Sequence, residues 1–162
     1  FINPIVDNPD LNAIEKMQHY SISVARWKTT RKSLLLSILP VWYHDDNLVM
    51  RQKVIRKGKE QMLPMFVRMI RQGVDERLFN TPYPEQAAEF IFILMTAMSD
   101  NVALLIVQRP EEMDKHQEAF FDSLEKMVAS YTDAIERVLG CASGSLQFID
   151  IETLKEWFVK PG

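Results

Sequence analysis

The chain has 162 residues, of which 47% are hydrophobic and 25% charged, and it carries a formal net charge of −3. This length suits one domain that buries a core without covalent staples, and the composition argues against extended disorder. The small net charge argues against a surface dominated by phosphate contacts, while nine Met, nine Phe and only five Gly favour a helical, adaptable interior.

Two helices are predicted in the first quarter of the chain. Asn8 is a helix cap and Pro9 suits a first helical position, so the first helix should run from about Pro9 towards Trp27. A second helix, rich in Leu and Ile, should follow Thr30 and end at Pro40, because proline cannot continue a helix without losing a hydrogen bond. Residues 41–44 then form an aromatic corner.

The next segment is predicted to contain two separate helices. Residues 45–47 form a capping cluster before a short basic helix, and Gly58 suits its C-terminal stop. A new helix should begin near Glu60, with Pro64 in or just past its first turn. Gly73 lies inside that helix and predicts that another part of the chain approaches closely there.

A helix that is apolar on nearly every side is predicted from Pro84 to about Gln108. Such a helix needs neighbours on all sides, so we expect it to be buried. Its most apolar run, Ala87–Met98, is interrupted by polar residues and is too short to span a bilayer. The pattern therefore predicts a core helix and no membrane anchor.

The last long helix should open at Pro110 and end at Gly140. Residues 140–145 have the composition of a flexible linker, and Asp150 should cap a short terminal helix. That helix has four residues on its packing side, namely Ile151, Leu154, Trp157 and Phe158.

The two long helices after Pro84 display more apolar surface than one small domain readily covers. We therefore expect part of this surface to meet a second subunit, most simply through a two-fold pair of helices. The sequence predicts a homodimer.

No catalytic or metal-binding constellation is recognisable in the sequence. There is no Gly-rich phosphate loop and no nucleophile elbow, and Glu112 with His116 has no second matching pair for an all-helical metal centre. Cys141 cannot form an internal disulfide and has no basic neighbour to lower its pKa, which favours an ordinary thiol in a cytoplasmic protein. We expect no enzyme activity, metal or cofactor.

Several features admit more than one interpretation. The basic run Arg51–Lys59 could contact DNA phosphates or form a solvated helix face. The Met and Phe stripe after residue 60 could line a cavity or fill a core. His44 beside two aromatic residues could orient a ligand or serve as a surface cap. Asp100 and Asn101, set in an apolar helix, could contact a dimer partner, a ligand or solvent.

Three short segments, in this order and spacing, resemble the effector-binding domains of TetR-like transcriptional repressors. They are DNLVMR at Asp46–Arg51, QGVDERLF at Gln72–Phe79 and PEQAA at Pro84–Ala88, within a resemblance that covers about residues 10–139. The family usually has Gly or a small residue where Arg77 stands, so this chain departs from the pattern there. Nothing in the sequence resembles the N-terminal helix-turn-helix of such repressors.

The resemblance implies an all-α fold, a multi-helix antiparallel bundle that dimerises through its last two long helices. Residues 1–162 would form a single regulatory domain, and because the chain begins Phe-Ile-Asn-Pro without an initiator Met, we expect it to be a fragment that lacks the DNA-binding domain. Residues 1–80 contain 13 Lys and Arg against 8 Asp and Glu, while residues 81–162 contain 6 against 14, which weakly supports placing the first half nearest the DNA.

The implied function is ligand-controlled DNA binding. An apolar or amphipathic effector, uncharged or weakly charged, would enter a helical cavity and shift the segment from Asp10 to Arg31 that leads to the DNA-reading heads. The alternative from another class is a helical protein-protein interaction module without a small-molecule pocket. The candidate ligand-binding residues are Trp27, Trp42, Tyr43, Met62, Met65, Phe66, Met69, Phe92, Met95 and Tyr131.

Overall fold

A computed structural model describes residues 3–108 and 116–158 of the chain, and these residues form seven α-helices and no strand. The predicted all-α class is thereby confirmed. The helices are α1 Asn3–Val6, α2 Ala13–Thr29, α3 Lys32–Trp42, α4 Leu48–Asp75, α5 Pro84–Gln108, α6 Gln117–Leu139 and α7 Ile151–Lys155, with 3-10 turns at Asp45–Asn47 and Glu156–Phe158.

Helix α2 begins later than the sequence predicts. Asn12 is its N-cap: its side chain accepts the Glu15 backbone N–H at 3.0 Å, and the Glu15 carboxylate accepts the Asn12 backbone N–H at 2.8 Å. This reciprocal pair satisfies two of the orphan donors at the helix start. Asn8 instead accepts the backbone N–H two residues further on, so the predicted start near Pro9 is wrong.

The predicted break at Gly58 is also wrong, because α4 is one continuous helix with both Gly58 and Pro64 inside it. A helix carrying both residues persists when tertiary packing outweighs their local cost. The apolar face of α4 from Ile55 to Val74 packs against the main core, which supplies that compensation. Helix α3 likewise continues through Pro40 and does not end there as predicted.

The corner between α4 and α5 depends on Gly73, as predicted. The Gly73 carbonyl accepts the backbone N–H of Leu78 at 2.8 Å and of Phe79 at 3.0 Å, and the buried Phe79 ring lies against Gly73 where a Cβ would stand. Arg77 takes a left-handed conformation with φ of 60°, which is costly for a residue with a Cβ. Pro84 then begins α5, as predicted.

Helices α4, α5 and α6 pack as antiparallel neighbours. Lys59 and Arg71 of α4 pair with Glu89 and Glu85 of α5, so the chain order runs in opposite directions along the two helices. Helix α2 packs against the same core, to which it contributes Met17 and Tyr20. The other members of this core on α4, α5, α6 and the following segment include Phe66, Met69, Ile70, Ala87, Ala88, Ile91, Phe92, Ile135, Leu139, Leu146 and Phe148.

Helix α5 is less buried than predicted. Phe90 is 54% exposed and Ile93 is 56% exposed, so the expectation of burial on all sides is wrong for a single chain. The helix has 25 residues, and its 18-residue window of mean hydropathy 2.1 is 22% buried. By length and composition alone it could cross a membrane, but the core helices of soluble proteins share these properties, so the absence of a membrane anchor stays a prediction.

Gly140 ends α6 in the left-handed region with φ of 63°, as predicted. The predicted start of this helix at Pro110 lies outside the described residues. The segment after Gly140 is not the predicted flexible linker, because the buried Glu136 carboxylate accepts the backbone N–H groups of Gly144 and Leu146, each at 2.9 Å. These charge-assisted hydrogen bonds fold the segment back onto α6.

The C-terminal segment follows the sequence prediction closely. Asp150 caps α7 by accepting the Glu152 backbone N–H at 3.3 Å and the Thr153 hydroxyl at 2.6 Å. A second apolar cluster forms where Phe158 and Leu124 are buried, with Ile151, Leu154 and Trp157 packed around them. Because its other members lie on α5 and α6, this cluster packs the C-terminal segment against those two helices.

Candidate functional site

An apolar cavity of about 250 Å³ lies between α2, α3, α5 and the C-terminal segment 148–157. It is open to solvent on one side. Its apolar lining consists of Tyr20, Val24, Ala25, Leu35, Leu39, Met95, Met98, Val102, Ala103, Ile106, Phe148, Ile149, Leu154 and Trp157, and its polar lining of Ser21, Lys28, Thr29, Ser99, Asp150 and Thr153.

Small side chains on two facing helices leave this space open. Ser21 and Ala25 lie one turn apart on α2, and Ser99 and Ala103 lie one turn apart on α5. Residues separated by four positions share a helix face, so each pair removes bulk from the same wall. The cavity therefore results from the sequence of both helices.

The C-terminal segment closes the third side of the cavity and is tied to two other helices. Lys155 of α7 pairs with Glu125 of α6 at 2.6 Å, and the Lys32 ammonium on α3 donates to the Glu156 backbone carbonyl at 2.7 Å. These two contacts hold the C-terminal segment, which carries Leu154, against α6 and α3.

The polar groups of the cavity differ in how they are satisfied. Ser21 donates its hydroxyl to the Met17 carbonyl at 3.0 Å, and the Asp150 oxygens are occupied in capping α7. Burial raises the pKa of Tyr20 to about 12, so this phenol stays neutral at physiological pH. Lys28 is exposed on the surface. The protein atoms packed around its amine still disfavour the charged form, which lowers the pKa of Lys28.

Only Met95 among the ten predicted ligand-binding residues lines this cavity. Phe66, Met69 and Phe92 are buried in the main core, and Met62 and Met65 pack against it. The Met and Phe stripe thus faces the core in which α4 meets α2 and α5, because those helices supply its neighbours. Of the two interpretations left open for the stripe, the structure favours core packing.

The remaining four predicted residues lie outside the cavity lining. Trp27 is 42% exposed, with the Arg31 guanidinium 4.9 Å from its ring centroid, and Trp42 ends α3. Tyr43 and Tyr131 each form a hydrogen bond to α5. The structure does not bring the ten residues together around one space, and a ligand-binding role for each stays a prediction.

Asp100 and Asn101 find partners within the chain, which the sequence did not indicate. The Tyr43 hydroxyl donates to Asp100 at 2.6 Å, and Asn101 donates to the Tyr131 hydroxyl at 2.8 Å. Burial, followed by the hydrogen bond to Asp100, raises the pKa of Tyr43. These bonds link α5 to the end of α3 and to α6.

A second hollow of about 440 Å³ lies between α1, α2 and α4, but most of its charged groups already have partners. Arg68 pairs with Asp7. The buried Lys16 ammonium donates to the Val6 carbonyl and to the Gln72 side chain, each at 2.8 Å. This polar hollow offers few unused contacts, so the apolar cavity is the better candidate.

Two residues singled out in the sequence have local roles. The His44 imidazole accepts the Asp46 backbone N–H at 3.4 Å, at the start of a 3-10 turn. Burial raises the pKa of the Cys141 thiol, which agrees with an ordinary thiol. In residues 3–108 and 116–158, no group of three or more His, Cys, Asp or Glu side chains is placed to hold a metal ion.

The sequence reasoning missed most of the cavity lining, including Ser21, Val24, Val102 and Leu154. The signal that could have found it is the pair of small residues one turn apart on α2 and again on α5. Comparisons with protein-family models, with curated proteins and with solved structures found no match for this chain.

Proposed function

We propose that this chain is the ligand-sensing and dimerisation domain of a cytoplasmic one-component transcriptional regulator. The observation that carries the proposal is the apolar cavity between α2, α3, α5 and the C-terminal segment. Further support comes from the three short segments that resemble TetR-like repressors, two of which lie at the α4–α5 corner. DNA binding would belong to an N-terminal helix-turn-helix domain that this sequence does not include.

The size and lining of the cavity favour a compact apolar or amphipathic ligand. Small-molecule sites usually measure roughly 300–1,000 Å³ and combine apolar walls with a few polar groups. This cavity, at about 250 Å³, lies just below that range and has mostly apolar walls. A ligand larger than the cavity would have to move the C-terminal segment or extend through the open side.

Ligand binding would act on DNA affinity through α2. This helix lines the cavity with Tyr20, Val24 and Lys28, and it is the first long helix that would follow the proposed N-terminal DNA-binding domain. A ligand that fits one position of α2 against α5 better than another shifts the population towards that position. Its effect on DNA affinity equals its difference in affinity for the two arrangements.

The exposed apolar side of α5 supports a homodimer. Phe90 and Ile93 are three residues apart, so they lie on one helix face, and both are more than half exposed in the single chain. Covering this face with the same face of a second copy, together with α6, would give a two-fold four-helix contact. The polar pair of Asn101 and Tyr131 lies between the same two helices.

A thermal-shift screen tests ligand binding in the cavity. We expect some compact hydrophobic molecules to raise the melting temperature of the wild-type protein, by mass action on the folded state. Ala25→Trp on α2 and Ala103→Trp on α5 should each fill the cavity and abolish that rise. Ala142→Trp, in the exposed turn after α6, is the matched control and should respond like the wild type.

Failure of every compound to stabilise the wild type would refute the ligand-sensing proposal. Stabilisation that persists in both cavity-filling variants would place the ligand elsewhere. Circular dichroism of each variant without ligand establishes that it has kept its helical content.

Sedimentation at micromolar concentration tests the dimer. We expect the wild type to sediment as a dimer, and Phe90→Asp with Ile93→Asp to sediment as a monomer, because both residues lose their apolar partner surface. Val54→Asp on α4 is the matched control, since Val54 is 50% exposed but lies on another helix. A wild-type monomer would refute this part of the proposal.

The alternative, a helical protein-protein interaction module, is supported by a different surface. Leu34, Ile38 and Val41 are spaced by four and three residues on α3, and their exposures are 59%, 45% and 61%. Such a stripe matches the anchors that an amphipathic helix presents to a groove. This alternative would be favoured if no compound in the library changed the melting temperature and if Ile38→Asp failed to bind a protein partner that the wild type captures.

A further inference from the structure

Lys28 brings an uncompensated positive charge to the cavity. It lines the cavity from the last turns of α2, and within the described part of the chain no carboxylate oxygen lies within 4.0 Å of its ammonium group. Most of the remaining lining is apolar. An amine in such surroundings favours a partner of opposite charge.

Most acidic groups on the C-terminal wall of the cavity and on the adjoining α6 already have partners. Asp150 lines the same cavity, but its two oxygens accept hydrogen bonds from the first turn of α7. Glu125 and Glu152 both pair with Lys155. Glu156 contributes only its backbone carbonyl to Lys32 in the observed contact. Within the described residues, the cavity therefore combines apolar walls with a cation that has no ion-pair partner, as a site for an amphiphile with an anionic head requires.

We propose that the ligand of this cavity is a compact amphiphile with an anionic head, most simply a carboxylate, that pairs with the Lys28 ammonium while its apolar tail lies against Val24, Val102 and Leu154. This inference rests on the proposed ligand-sensing function and names the chemical class of the effector. It differs from the sequence-based expectation of an uncharged or weakly charged effector, which rested on the absence of an evident charge partner and stays a prediction.

The exposure of Lys28 fits a ligand head that stays in contact with solvent. Lys28 retains exposed surface, so a paired carboxylate would stay partly hydrated and its desolvation cost would be small. The apolar tail would supply most of the affinity by leaving water. A bound anion would also favour the charged amine and so oppose the burial that lowers the pKa of Lys28.

The expected contribution of the charge pair is moderate. Ion pairs that stay partly exposed strengthen an interaction by about 1.5-fold to 5-fold. Lys28 is exposed, so solvent screens the pair and the effect on affinity should stay within that range. The decisive observation is therefore a change in ligand preference, since a small change in a single affinity would be less informative.

Isothermal titration calorimetry with three ligands of equal chain length tests this preference by measuring the affinity of each. Octanoate, octanol and octylammonium carry the same tail with a negative, neutral or positive head at neutral pH. For the wild type we expect octanoate to bind roughly 5-fold more tightly than octanol, and octylammonium to bind most weakly. In Lys28→Met the three affinities should converge, and in Lys28→Glu octylammonium should become the preferred ligand.

Lys53→Glu is the matched control for the charge reversal. Lys53 is exposed on α4 and does not line the cavity, so this variant changes the net charge equally and should keep the wild-type preference. A reversal in Lys53→Glu as well would show that the preference follows net charge, and would overturn the assignment of Lys28.

The titration also separates this inference from the proposed function. If octanol binds as tightly as octanoate, or if Lys28→Glu keeps the wild-type order, the anionic-head proposal is wrong while the apolar cavity remains a ligand site. If none of the three ligands binds the wild type, both the anionic-head proposal and the cavity as a site for compact amphiphiles are refuted.

Discussion

Replacing Gly73 with alanine tests the close approach on which the α4–α5 corner depends. A Cβ at this position would stand 2.1 Å from Cδ2 and 2.4 Å from Cε2 of Phe79. The Phe79 ring is 3% exposed and belongs to the main core, so it cannot move into solvent without losing its packing. The ring would have to retreat by more than an ångström to restore ordinary contact.

Two opposing effects set the magnitude of this change. Alanine is favoured over glycine inside a helix by about 1 kcal/mol, while overpacking a core costs about 1–3 kcal/mol. Because the overlap involves a buried ring, we expect the upper end of that cost, so Gly73→Ala should lower the free energy of unfolding by about 2 kcal/mol. For a chain of this length, the melting temperature should fall by about 4–8 °C.

Gly58→Ala in the same helix is the matched control, because a Cβ at Gly58 would meet no atom within 4 Å. It should raise the free energy of unfolding by about 0.5–1 kcal/mol. Urea denaturation at one fixed protein concentration measures both variants, since the stability of a dimer depends on concentration. A Gly73→Ala protein as stable as the wild type would refute the close-packing interpretation.

A double variant identifies Phe79 as the cause of the cost. Phe79→Leu alone should be destabilising because it reduces core packing. Combined with Gly73→Ala, it should cost less than the two changes added, because the smaller side chain leaves room for the new methyl group. Strict additivity would show that Gly73→Ala acts through something other than this contact.

Three further changes test other parts of the fold. Tyr20 has its pKa raised to about 12, so it stabilises the fold below pH 10 and loses that contribution as the pH rises towards 12; at about pH 10.5 the wild type should lose about 1 kcal/mol more than Tyr20→Phe in urea denaturation. Glu136→Ala removes the acceptor of the Gly144 and Leu146 N–H groups and should cost about 3 kcal/mol, with Glu136→Gln between it and the wild type. Arg77→Gly relieves a left-handed residue and should raise the melting temperature, a gain of up to about 1 kcal/mol.

Local chemical signals made several elements predictable from the sequence. Pro84 and Gly140 mark helix ends because proline fits the first turn and glycine tolerates the left-handed stop. Asp150 predicts the start of α7 for a similar reason, since its carboxylate accepts the Glu152 backbone N–H and the Thr153 hydroxyl, two and three residues further on. In each case the groups that fix the helix end lie within a few residues of one another in the sequence.

Features that depend on distant contacts were not predictable in the same way. Gly58 and Pro64 predict a break in α4, but core packing along the helix overrides both. The cavity requires small residues on α2 and α5 to face each other, together with a C-terminal wall held by Lys155. No pattern within one segment reports that arrangement, whereas the Met and Phe stripe is visible in one segment and was therefore chosen, although it packs in the main core.

A crystal structure of the protein with the tightest compact amphiphile from the screen tests the central claim most directly. The proposal predicts ligand density between α2, α5 and Leu154, with an anionic head within hydrogen-bond distance of the Lys28 ammonium. An empty cavity with the ligand bound at another surface would contradict it.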